Sequence, residues 1–190
     1  MKKIAITLFA AFLAFNLFAQ DNMFVKGDKV LNLGIGFGGG YYSGYSSGFT
    51  KTPFLSAAVD VGIIDDVLDI GSIGIGGYVG YASAKWEDSY IGTTYGWKET
   101  NFIIGPRGTF HYPLVDKLDT YAGVLLAYHS VTWKETGDWA GLTGYGGGTS
   151  GVYFSGFLGA RYYFTDQFAV MIELGSGGLS LANVGVSVKF

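Results

Sequence analysis

Four charged residues, Asp60, Arg107, Arg161 and Glu173, stand in stretches otherwise made of small and large apolar side chains. Each falls at the parity of the small residues: Asp60 with Ser56, Ala58 and Gly62, Arg107 with Asn101, Gly105 and Thr109, Arg161 with Ser155 and Gly159, Glu173 with Ala169 and Met171. Period two belongs to a strand, whose successive side chains take opposite faces. The four charges therefore share one face with Lys189, which alternates with Asn183, Gly185 and Ser187, and Glu99 lies nearer a rim. Opposite charges on a common inner face form ion pairs that fix a shape, or they line a polar path.

Catalysis needs a nucleophile or base at one place. The chain has two histidines, His111 and His129, and they belong near opposite ends of their strands. His129 adjoins Ser130, with Asp138 farther on, but neighbours in a strand point apart and cannot cooperate. No enzyme is expected. The glycine runs "GIGFGGG" and "GYGGGTSG" lack the Gly-Lys-Ser/Thr ending of a phosphate loop and open no helix. Cysteine is absent and no His, Asp or Glu grouping has metal-ligand spacing, so no metal or cofactor is expected.

The elements that position the charges are eight alternating segments, near 28–41, 53–63, 71–86, 98–112, 119–133, 152–164, 168–175 and 180–190. Leu31, Leu33, Ile35 and Phe37 define the apolar face of the first, and Phe102, Ile104, Pro106 and Phe110 that of the fourth. The third breaks its small inner face at Tyr78. The fifth, "YAGVLLAY", is apolar on both faces; placing Ala122, Val124, Leu126 and Tyr128 outward turns His129 inward. Many inward positions are glycine, which fills little volume.

Links after the second, fourth and sixth segments are short, whereas "YSGYSSGFTKT", "EDSYIGTTYGWK" and "KETGDWAGLTGYGGGTSG" are long; the link "SGG" is a short exception on the long side. Short turns alternating with long loops mark an up-and-down barrel with both termini on one side. Tyr41, Trp86, Trp97 and Trp133, at the expected strand ends, suit an aromatic girdle. Tyr45, Tyr90, Trp139 and Tyr145 lie farther out and are candidate contacts for an extracellular protein or glycan, because Tyr and Trp offer rigid amphipathic surface.

Composition and the N-terminus fix the expected compartment. "MKKIAITLFAAFLAFNLFAQ" has two lysines, an apolar run from Ile4 to Phe15 and small residues at its end, the pattern of a signal peptide over 1–20 with cleavage near Ala19/Gln20. Residues 21–27 read as a flexible lead-in and 28–190 as one barrel domain. Without Lys2 and Lys3 the 12 basic residues become 10 against 15 acidic, a net of −5, and no basic tract suggests nucleic acid. An exported chain with 32 glycines, 17% aromatics and only 14% charged residues, lacking an apolar run long enough for a spanning helix, suggests the other structure that satisfies its backbone in lipid, a closed barrel.

The C-terminal "GGLSLANVGVSVKF" turns Val184, Val186, Val188 and Phe190 outward and ends on an aromatic ring, which suits a lipid–water interface. With that ending, the signal peptide and the eight segments, the mature chain resembles the small outer-membrane β-barrels of Gram-negative bacteria, of the OmpA transmembrane-domain and OmpX type. The resemblance implies an all-β, eight-stranded antiparallel up-and-down transmembrane barrel with both termini periplasmic. It implies outer-membrane lipid and the secretion and barrel-assembly machineries as partners, the latter reading Val184, Val186, Val188 and Phe190. It implies a monomer whose role is structural or surface-interaction, since the family includes adhesins, anchors, small channels and a few enzymes. No peptidoglycan-binding domain follows the barrel, which speaks against wall anchoring. A narrow pore or conduit for small molecules is the alternative, and an exported soluble lipocalin-like barrel a lesser one. The soluble form would hide the Leu, Ile, Val and Phe set, and here that set opposes the charged one.

Overall fold

The computed structural model describes residues 22–39, 48–90, 92–137, 146–175 and 179–190. The strands are β1 (Lys29–Phe37), β2 (Thr50–Lys51), β3 (Phe54–Val67), β4 (Gly71–Tyr90), β5 (Thr93–Val115), β6 (Leu118–Gly137), β7 (Gly146–Tyr163), β8 (Phe168–Leu174) and β9 (Ala182–Lys189). All ladders are antiparallel: β1 pairs with β3, β3 with β4, and each later strand with the next up to β9. Pairing of β9 with β1, from Val30↔Lys189 to Phe37↔Ala182, closes the ring. The fold is thus an eight-stranded antiparallel barrel, with β2 as a two-residue addition on the edge of β4.

Alternation sets the two surfaces. Leu33, Ile35, Leu55, Ile75, Ile104, Leu158, Val170, Ile172, Val184 and Val186 are all exposed, while Asp60, Arg107, Arg161 and Glu173 are buried. In β6 Leu126 is 51% exposed and Leu125 only 1%, which resolves the two-faced segment in favour of Leu126 outward.

Two expected long loops are largely strand. β4 and β5 continue in register through Lys85↔Lys98, Trp86↔Trp97 and Tyr90↔Thr93, so most of 87–98 is hairpin. β4 runs to Tyr90, which therefore ends a strand rather than lying in a loop, and β6 reaches Gly137 while β7 begins at Gly146. Thr, Tyr and Trp favour the extended backbone, and each strand end here has a partner to pair with. At 20 and 23 residues, β4 and β5 are about twice the 9–11 that cross a bilayer. β4 to β7 therefore project past β1, β8 and β9 as a four-stranded overhang. Tyr41, Tyr45, Trp139 and Tyr145 lie outside the described residues, as does the expected signal peptide.

The inner parity continues into the overhang and carries Trp86, Trp97 and Trp133 with it. Trp133 Nε1 donates to Glu99 Oε2 at 2.7 Å and Trp86 meets Tyr95 edge-on at 5.8 Å. These tryptophans line the inner face of the overhang rather than an outward girdle, because the alternation runs unbroken past the expected strand ends.

The lead-in is anchored rather than loose. Gly27 N–H donates to Gly62 O and Gly62 N–H to Asp28 O, each at 2.9 Å, and Ser72 Oγ donates to Phe24 O at 2.6 Å. Phe24 is fully buried inside the barrel.

Candidate functional site

Asp60, on β3 at mid-barrel, is the hub of the interior. Arg107 reaches it from β5 with two hydrogen bonds, Nε to Oδ1 at 2.7 Å and Nη2 to Oδ2 at 2.9 Å. Arg161 donates to Oδ2 from β7, and Asn32 Nδ2 donates from β1 at 2.9 Å. The fork of a guanidinium matches a carboxylate's two oxygens, which gives such pairs fixed geometry.

The network widens from there. Arg107 Nη2 also meets Glu173 Oε1 at 2.8 Å, and the Tyr121 hydroxyl donates to the same oxygen at 2.7 Å. Arg161 donates to Asp119 Oδ2 at 2.9 Å and to Asn32 Oδ1 at 3.0 Å, and Ser187 Oγ donates to that Asn32 oxygen at 2.7 Å. His111 Nδ1 lies 2.7 Å from Asp119 Oδ1 and Nε2 lies 2.9 Å from Thr109 Oγ1. Three carboxylates thus face two guanidiniums, with His111 against the third. Seven of the eight ring strands contribute a member; β4 instead holds the plug through Ser72.

Aromatic rings complete the layer. Phe24 stacks on His111 at 3.9 Å, and Tyr121 lies 5.1 Å from it on a tilted plane. The Arg161 guanidinium sits 4.3 Å over Tyr121 and that of Arg107 4.7 Å over Phe157. Toward the overhang the lumen turns apolar, packed by Phe54, Tyr78, Ala82, Ile103, Leu125 and Phe157. Inward glycines make this possible, since the Tyr121 ring lies where a Gly159 Cβ would be and Phe54 covers Gly80 in the same way. Gly159→Ala should displace Tyr121, break its bond to Glu173 and cost about 1–3 kcal/mol, readable from urea unfolding of the folded barrel.

Of the inward charges expected, Asp60, Arg107, Arg161 and Glu173 come together. Lys189 does not. It lies at the turn-end rim, 22% exposed, with Nζ 3.2 Å from Met23 O and 3.6 Å from Asp28 Oδ2, because the last strand ends where the lumen opens. Asp119, Asn32, Tyr121, His111 and Phe24 belong to the network and were not among the expected site residues. His129 faces inward near the other end, where its Nε2 lies 2.9 Å from Asn101 Oδ1, and Asn101 donates to Glu99 at 2.6 Å. Ser130 takes the opposite face. Val184, Val186 and Phe190 are exposed, and Phe190 N–H donates to Lys29 O at 2.9 Å across the seam.

Chemically the layer holds charge in place. Every carboxylate in it accepts at least two polar contacts, and among the described residues no three His, Asp or Glu side chains group as a metal site.

No family model matches the chain, and no curated protein matches it in sequence. Among solved structures it is similar to Ail, the attachment invasion locus protein of Yersinia pestis, in complex with the heparin analogue sucrose octasulfate, at 10% identity and a TM-score of 0.48 over 87% of this chain and 100% of that one. A second structure of Ail gives 7% identity and a TM-score of 0.46 over the same shares.

Proposed function

We propose that this chain is an integral barrel of the bacterial outer membrane, monomeric and non-catalytic, with a sealed interior and a surface-interaction role carried by its overhang. One observation carries the membrane reading: the outward belt is Leu, Ile, Val, Phe and Tyr, whereas the ionised groups are buried within. Water outside would favour the reverse arrangement, the one a soluble lipocalin-like barrel has. Lipid outside makes the belt favourable, and pairing of β9 with β1 closes the ring.

The interaction role rests on β7. From Gly146 to Phe157 no strand among the described residues pairs with its far side, and Val152 and Phe154 are exposed there, at 80% and 67%. An unpaired edge is a template for an added strand, so a protein segment in extended form fits it. Aromatics and carboxylates on the inner face of the overhang suit glycan contact as well. The pore alternative finds little support, since ion pairs fill one half of the lumen and rings the other.

Expression in a Gram-negative host and fractionation test the reading. The protein should leave the outer membrane only with detergent and should migrate differently on a gel before and after boiling. Recovery as a water-soluble monomer would overturn it.

A further inference from the structure

The two faces of the overhang differ in charge. Its inner face carries Asp88, Glu99 and Glu135. On its outer face Lys85, Lys98 and Lys134 stand directly opposite one another across β4, β5 and β6. Like charges opposite one another in a sheet are destabilising unless something neutralises them. Lys85 has Glu87 at 2.6 Å, but among the described residues Lys98 and Lys134 have no carboxylate partner. This is a notable placement for lysines in a chain with an acidic net charge. Between the two lies a shallow depression of about 260 Å³ whose other walls are Thr100 and Thr132.

Its height on the barrel identifies the ligand. The outward apolar side chains of β5 run from Tyr112 to Phe102, which at about 3.3 Å per residue and a tilt near 45° is roughly the 25 Å of an apolar band. Thr100 stands one outward position beyond that band and Lys98 two. The order outward is therefore ring, hydroxyl, ammonium. A lysine there lays its stem along the belt and holds its head in the headgroup layer. At the opposite end the turns carry Asp65, Asp66, Asp69, Asp116 and Asp166 interspersed with Lys26, Lys29 and Lys117, so charge there is mixed, whereas Lys85, Lys98 and Lys134 form an aligned row on the overhang side.

The geometry points to a binding site for the phosphate-bearing headgroup of a membrane glycolipid, held by Lys98 and Lys134 with hydroxyl donors from Thr100 and Thr132. The lipid belongs to the leaflet on the overhang side. This inference rests on the membrane reading above and adds a specific ligand class to it.

The full chain, folded in detergent, is reconstituted into phosphatidylcholine vesicles containing either bisphosphorylated lipid A or the same lipid stripped of phosphate. Insertion is read first, from the boiling-dependent gel shift, which does not depend on the lysines. Failure of the wild type to insert in either vesicle overturns the membrane reading and this site with it. For inserted protein, the lipid A retained after repurification in detergent is measured by mass spectrometry at low and high salt. The phosphorylated form should be retained preferentially, and high salt should erase the preference. Lys98→Gln or Lys134→Gln should weaken retention about five-fold and the double variant about thirty-fold, with a smaller loss for Lys85→Gln because Glu87 already pairs it. Equal retention of the two lipids by the wild type, or undiminished retention by an inserted double variant, overturns the site while leaving the membrane reading standing.

Discussion

Asp60→Ala should lower the unfolding free energy of the folded barrel by about 3–5 kcal/mol, the cost of removing one partner from a buried ion pair. Asp60 is fully buried and accepts from Arg107, Arg161 and Asn32 at once. Without it Arg107 keeps Glu173 and Arg161 keeps Asp119, but the bridge between the two halves of the network is gone. Urea unfolding in lipid vesicles, followed by the boiling-dependent gel shift, measures the loss. A double-mutant cycle with Arg107→Ala should then show strong coupling, because the two changes remove the same contacts. A single variant within about 0.5 kcal/mol of wild type would mean that the interior charges do not hold the wall together.

Leu126→Arg should cost about 2–4 kcal/mol in a bilayer, the penalty for a guanidinium on the lipid face near the midplane. The same variant separates the membrane reading from a soluble one, since an arginine replacing a half-exposed leucine in water would change little. Leu125 asks a different question. Leu125→Ala opens a cavity beside Phe157 and should cost about 2–5 kcal/mol in any solvent. Refolding yield and urea midpoints in vesicles check both. A neutral Leu126→Arg with a costly Leu125→Ala would point to water on the outside.

The barrel was legible in the sequence wherever the two faces of a strand meet different surroundings. Asp60, Arg107, Arg161 and Glu173 could be placed inward because parity sets them against an apolar face. In the overhang both faces lie beyond the belt, so the hydropathy contrast disappears while the strand continues. That is why 87–98 and much of 134–151 read as loop. Asp119 follows the turn at Asp116 and Lys117 and resembles a turn residue. Phe24 precedes every alternating segment, and nothing in the sequence marks it as a plug. Inward glycines were read as lost volume, whereas the rings of Phe24, Phe54, Tyr121 and Phe157 lie over Gly74, Gly80, Gly159 and Gly123 and use that space. Ring and glycine are distant in sequence in all four pairs, so no local pattern reports them.

The placement of Phe24 has a consequence for the order of assembly. The ring lies inside a wall whose seam joins the first strand to the last, and it stacks on a histidine nearly ninety residues away. Asn32 beside that seam binds Ser187 from one side and Arg161 from another. Such contacts carry a large loop-closure entropy and return their enthalpy only when the ends meet. Zipping the seam, seating Phe24 and pairing the charges therefore form one cooperative event. A sheet still open between β1 and β9 has its arginines facing water or lipid headgroups, and the turn that carries Phe24 must be inside before the last strand shuts the door.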